Sequence, residues 1–184
     1  MNLAERVQTF ENLMPKEIIT PELYADLNCR GFFTAPASTK YHGAYEGGLF
    51  DHSANVTMCL LLLTKGLNLK WQRPESPYII GMFHDLCKID QYVCTGNENG
   101  KNIYEYNKQS YLKGHGDKSV MLLSQYIRLT EEEIFCIRYH MGAFCEKEEW
   151  NDYTRAVHKY SNVLFTHTAD MMAAHIMEVE HGNS

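Results

Sequence analysis

The chain has 184 residues, of which 45% are hydrophobic and 22% charged, enough for one globular domain with a real core and unlike a disordered chain. Its net charge of −6 argues against tight binding along nucleic acid, which calls for a basic footprint. The longest apolar run, Met58 to Leu63, is far short of the roughly 20 residues of a membrane span. The N-terminal "MNLAERVQTF" lacks the apolar stretch of a signal peptide, so the expectation is a cytoplasmic protein with no membrane partner.

Along the chain the pattern is helical almost throughout. Asn2 to Leu13 predicts an amphipathic opening helix, and Thr20-Pro21-Glu22 starts a second one with Thr as N-cap and Pro at the first helical position. Both lie in a helical N-terminal extension covering about residues 1–30. Residues 29 to 45 read as irregular, because Gly, Pro and small polar residues break any period. A long helix is expected from Gly48 to about Lys65, then the turn "WQRPESP", then a buried helix that carries His84, Asp85 and Lys88. Residues 91–106 depart from the helical pattern: two β-prone, aromatic runs flank "NENG", which predicts a small inserted hairpin. The "GNENGK" within it is a turn and not a phosphate loop, since the glycine spacing is short and no Ser or Thr follows Lys101.

Three further helices are predicted, over Asp117 to Ile127, Thr130 to His140 and about Ser161 to Glu180. Thr130 and Glu133 form a capping box at the start of the second. "EKEEWNDY" reads as a solvated acidic connection between the last two. The expected fold is therefore a single all-α domain, residues 1–184, with one inserted hairpin. The six cysteines contain no C-x-x-C pair, and Cys59 and Cys136 lie in apolar helical stretches, so they read as reduced core thiols.

"GMFHDLCKID" sets His84 and Asp85 side by side among Ile79, Ile80, Met82, Phe83 and Leu86. Burying such a pair is costly unless a local network or a cation satisfies it. A histidine or aspartate recurs at a similar place in each major helix: His52 in "GGLFDHSANV", His115 in "KGHGDKS", His140 closing "EEEIFCIRYH", and Asp170 in "FTHTADMMAAH". Imidazole and carboxylate suit borderline or hard divalent ions. Asp85 can offer one oxygen to each of two ions, one taking His52, His84, Asp85 and Asp170, the other Asp85, His115 and His140. His42, His158, His167, His175 and His181 stay outside this set, with His167 placed to support it from the face of Asp170.

"HDLCK" and the order H … HD … H … H … D resemble the HD-domain metal-dependent phosphohydrolases, over about Pro36 to Met177. "YHGAYEGGLFDHS" resembles the first-ligand segment of HD-type 3′-to-5′ exoribonucleases and of related phage and bacterial HD proteins. "GHGDKS", "IRYHMG" and "TADMMA" resemble later segments of small single-domain members. Two departures are Cys87, where many members have Gly, and "RYHMGAF" in place of the GYP signature of cyclic-dinucleotide phosphodiesterases. The resemblance implies an HD-domain-like helical bundle and a hydrolase of phosphate esters or anhydrides acting through metal-bound hydroxide. It implies the six ligands above and two divalent ions, drawn from Mn, Fe, Co, Ni, Zn or Mg.

A nucleotide, down to a deoxynucleoside mono- or triphosphate, is the first choice of substrate for a small, acidic chain. A 3′-to-5′ exonuclease on single-stranded RNA or DNA is the alternative, and a metal-stabilised nucleotide-binding or signalling module without turnover is the alternative from another class. Asp85 and Lys88 are the expected catalytic residues, and Lys88, one helical turn after His84, is the first candidate for binding phosphate, with Lys118 second. Gly47 and Gly48 are expected to permit a close approach at the start of the His52 helix, and Tyr41, Tyr45 and Phe33 to line a base pocket. Oligomeric state is left open by the sequence.

Overall fold

The computed structural model of the protein describes residues 1–178 apart from His42, Tyr111 and Lys113. The chain opens with α1 (Leu3–Leu13), closed at its start by a capping box in which Asn2 and Glu5 exchange side chain and backbone hydrogen bonds. Next comes α2 (Pro21–Cys29), capped by the Thr20 hydroxyl with proline at its first position. Phe10 of α1 and Leu23 and Leu27 of α2 belong to the same buried core as the rest of the chain. Phe10 meets Phe33, Phe50 and Phe83 with ring centroids 5.4–6.5 Å apart, mostly edge to face. Burial of each such ring is worth about 1.5–3 kcal/mol, which docks α1 on the core.

The long helix α3 (Gly48–Leu67) ends at Asn68, which takes up the left-handed conformation at φ 53°. It packs along α4 (Ser76–Phe83) and α8 (Asn162–Met172). Gly81 makes the first of these contacts close: a Cβ there would sit 2.5 Å from Thr57 Cα. Two further helices, α5 (His115–Leu123) and α6 (Glu131–Arg138), pack on each other, and α6 also meets α4 and α8. Fully buried Glu133 links three elements: it completes the α6 capping box with Thr130, takes a two-bond clamp from Arg73 and accepts from the Ser76 hydroxyl.

β1 (Tyr92–Glu98) and β2 (Lys101–Tyr106) form the expected antiparallel hairpin, with Asn99 and Gly100 both at positive φ in the turn. Asn107 ties its base to the chain before it, its backbone N–H donating to Gln91 O and its side chain to Asp90 O.

Three expectations need correction. The helix bearing the His-Asp pair stops at Phe83, and a 3-10 turn over Leu86–Asp90 follows it. "EKEEWNDY" is not merely a connection: α7 (Trp150–Lys159) begins inside it, and Tyr153, Ala156, Val157 and Tyr160 give it an apolar face at helical spacing. The last helix passes into a π-helical turn, Ala173–Met177, instead of running on as one α-helix. Among the described residues no helix is long and apolar enough to cross a membrane.

Candidate metal centre

Five elements deliver the six residues singled out in the sequence to one place. His52 comes from the second turn of α3, His84 and Asp85 from the break after α4, His115 from the first position of α5, His140 from just beyond α6, and Asp170 from α8. Asp85 has φ −103° and ψ 19°, between the α and β regions, where functional residues are often held. The close α3–α4 crossing at Gly81 lets His52 and His84 meet, their Nε2 atoms 3.3 Å apart.

Asp85 stands at the centre with only 2% of its surface exposed. Its Oδ2 lies 3.7 Å from His52 Nε2 and 3.5 Å from His84 Nε2, while Asp170 Oδ1 reaches His52 Nε2 at 3.2 Å. Its Oδ1 faces the other way, 2.8 Å from His115 Nε2 and 3.3 Å from His140 Nε2. His140 Nδ1 donates to Ile137 O and His84 Nδ1 to Gly81 O, because a carbonyl can only accept. Their Nε2 atoms therefore point lone pairs into the cluster. His140 Nε2 is buried there without a hydrogen bond, 3.3 Å from an Asp85 oxygen that otherwise meets only His115 Nε2 among the described residues. Two acceptors facing each other in a dry interior repel, and a shared cation relieves that cost. Donor chemistry and geometry agree that these buried His, Asp and Cys groups can hold a metal ion.

Neighbouring charges shift one another within the cluster. Burial works against ionisation of Asp85, but Lys88, His84 and His115 hold its carboxyl well below the usual range. Burial opposes protonation of His52 too, yet hydrogen bonds to Asp170 and Glu178 push it up to about 9. His84 goes the other way, lowered by burial against the pull of Asp85. Asp170 is depressed despite its burial, chiefly by the hydrogen bond with His52.

Lys88 lies where the sequence expected a cation but arrives by another route. Side chains three apart eclipse on a 3-10 turn, so Lys88 stands over Asp85, not one α-turn above His84, with Nζ 2.6 Å from Asp85 Oδ2. Lys118 is engaged elsewhere: its amine is bonded to Asp90 and to Ser110 Oγ, and it lines a smaller neighbouring cavity of about 260 Å³. It is a brace under the hairpin, not a free cation in the cluster.

The cluster opens into a cleft of about 790 Å³, within the range of small-molecule sites. His52, Asp85, Lys88, His115 and Asp170 lie in its floor, and Tyr41, Tyr92, Tyr106, Met141 and Phe144 in its walls. Tyr92 and Tyr106 are cross-strand partners with ring centroids 5.2 Å apart. Of the three aromatic residues proposed for a base pocket only Tyr41 lines this cleft. Phe33 is core, and the Tyr45 hydroxyl donates to Asp51. Gly47, at φ 84°, does serve a close approach: a Cβ there would strike the guanidinium of Arg6, which clamps Asp51 on the first turn of α3.

Of the supporting residues His167 was expected, while Glu178 and the role of Cys87 were harder to foresee. Glu178, past the π-helical turn, takes a hydrogen bond from His52 Nδ1 at 2.9 Å, so the segment bearing Asp170 grips both nitrogens of one imidazole. Cys87 sets its Sγ 3.4 Å from His115 Nδ1, and burial pushes its thiol up to about 12. His167 Nδ1 donates to His140 O, supporting that residue through its backbone. His158 and His175 are exposed, His175 at the rim of the cleft, while His42 and His181 lie outside the described residues. No protein-family model, curated protein or solved structure matches the chain.

Proposed function

We propose that this protein is a metal-dependent phosphohydrolase that cleaves an ester or anhydride of a small phosphorylated substrate, a nucleotide first among them. One observation carries the reading: Asp85 presents one oxygen to His52 and His84 and the other to His115 and His140. That division suits two ions sharing one carboxylate, with Asp170 added on the first side. Divalent ions held there would acidify water and neutralise phosphoryl oxygens.

The chain's own residues define the rest. Lys88, buried with its amine on Asp85, brings a positive charge to the floor of the cleft where a phosphate would lie. Glu178 and the carbonyls of Gly81 and Ile137 fix the imidazoles so that Nε2 faces inward. Tyr92 and Tyr106 offer ring faces on which a base can stack. His52, drawn toward its protonated form by Asp170 and Glu178, would release a proton on holding an ion.

The test is phosphate release by purified, Mn²⁺-loaded protein from a nucleotide panel, run beside short single-stranded RNA and DNA. Release from a small nucleotide, lost in His84→Ala/Asp85→Ala together with bound metal, is the expected result. Stepwise shortening of the oligonucleotides would replace this reading with an exonuclease. Full metal loading without hydrolysis of any substrate would leave a metal-stabilised binding module.

A further inference from the structure

Of the buried thiols Cys59, Cys87 and Cys136, Cys87 alone joins the metal-capable groups among the described residues. One donor atom each from Asp85, Cys87 and His115 lies within 4.8 Å of the others. The imidazoles of His52, His84 and His140 each commit Nδ1 to an oxygen, from Glu178, Gly81 and Ile137 respectively. His115 is different. Its Nδ1 faces the sulfur of Cys87 at 3.4 Å, a weak partner that leaves this nitrogen open to a ligand.

The arrangement is held in place. The backbone N–H of Cys87 donates to Ser119 Oγ at 3.0 Å, and the Ser119 hydroxyl donates in turn to His115 O. The 3-10 turn and the first turn of α5 are thereby fixed together. A tetrahedral zinc ion, with bonds of about 2.3 Å to sulfur and 2.0 Å to nitrogen, keeps those two atoms roughly 3.5 Å apart. Sγ and Nδ1 already stand at that separation. Asp85 Oδ1, buried and 2.8 Å from His115 Nε2, is the third donor of the group and has to turn away from that nitrogen to reach an ion held by Sγ and Nδ1. The His115 side chain is 27% exposed and lines the cleft, which gives an ion a way in.

We propose that Cys87, His115 and Asp85 form a thiolate position selective for thiophilic divalent ions of the zinc and cadmium class, whose occupation withdraws His115 and Asp85 from the carboxylate-bridged pair and inhibits the enzyme. Sulfur is the donor that separates such ions from Mn²⁺ and Mg²⁺. As the sulfur–metal bond forms, the thiol proton passes to buffer, and no electron changes hands. The binding claim stands on the geometry alone; inhibition rests on the proposed hydrolase activity.

The experiment titrates metal-free, full-length protein with Cd²⁺ and follows the ultraviolet sulfur-to-cadmium charge-transfer band. Cys29, Cys94 and Cys145, the more accessible thiols, are first replaced by Ser. The band is expected in this parent, absent from its Cys87→Ser derivative, and shifted to at least tenfold higher Cd²⁺ by His115→Ala. Cys87→Ala carries the same expectation should the serine variant fail to fold. No band in the parent, or an equal band after Cys87 is replaced, overturns the proposal. A chain without hydrolase activity still shows or lacks the band, so the two failures are distinct. With activity in hand, Zn²⁺ added to Mn²⁺-loaded protein should inhibit the parent at lower concentration than Cys87→Ser, each measured against its own uninhibited rate. Equal sensitivity would overturn the inhibitory role.

Discussion

Replacing Lys88 with Met keeps the aliphatic stem and deletes one charge, at a place where that charge has a single well-defined partner. Nζ lies 2.6 Å from Asp85 Oδ2, with the two side chains 10% and 3% exposed. Removing one member of a buried ion pair costs about 3–5 kcal/mol, because the other is left buried and uncompensated. His52 and His115 also face the Asp85 carboxylate and soften the loss, so the low end, about 3 kcal/mol, applies. For a chain of this size each kcal/mol moves the melting temperature by about 2–4 °C, giving a drop of roughly 6–12 °C in chelator. With saturating Mn²⁺ the ions themselves balance Asp85, and the drop should shrink to less than half. Calorimetry of wild type and Lys88→Met, each with EDTA and with Mn²⁺, reads both numbers. Hydrolysis of the best substrate should fall about a hundredfold in the variant while metal content holds. An equal drop in melting temperature under both conditions would refute the reasoning, since it would make Lys88 a packing residue indifferent to the charge beside it.

Metal-free protein should be most stable near pH 6.5, by melting temperature against pH in EDTA. The His52 contribution, with its pKa raised to about 9 from about 6.5 unfolded, is complete below 6.5 and lost as pH rises through 9. His84, with its pKa lowered, is kept neutral and costs stability as pH falls below 6.5; depressed Asp85 and Asp170 withdraw theirs only on acidification below about 4. A maximum above pH 9 would contradict this balance. Glu178→Gln should weaken the tighter Mn²⁺ site about 10–100-fold in an equilibrium titration, as loss of a carboxylate behind a ligand histidine does. Gly81→Ala should cost about 1–3 kcal/mol by overpacking against Thr57 and lower metal content as well, because the helices that carry His52 and His84 must part. Unchanged metal content in a destabilised Gly81→Ala protein would separate the crossing from the site.

His84 and Asp85 were legible because they are polar groups in an apolar stretch, and His52, His115, His140 and Asp170 through their joint order along the chain. The hairpin was legible from "NENG", and the first two helices from their caps. What stayed hidden depended on where the chain bends. A run such as Ile79 to Ile89 keeps an apolar pattern through both an α-helix and a 3-10 turn, so its spacing could not show that the helix stops at Phe83. The error in placing Lys88 over His84 followed directly. Acidic residues in "EKEEWNDY" masked α7, although Tyr153, Ala156, Val157 and Tyr160 carried its period. Glu178 and Cys87 gave no local signal, since a carboxylate near the chain's end and a thiol beside a histidine acquire meaning only through partners 126 and 28 residues away. The division follows from the physics. A polar pair buried at the centre of the cluster leaves a mark against its neighbours in sequence, whereas a supporting group needs only to reach one nitrogen across the fold. Long-range placement is therefore what the three-dimensional structure adds at this site: Asp170 and Glu178, eight positions apart across a π-helical turn, hold opposite sides of the His52 ring.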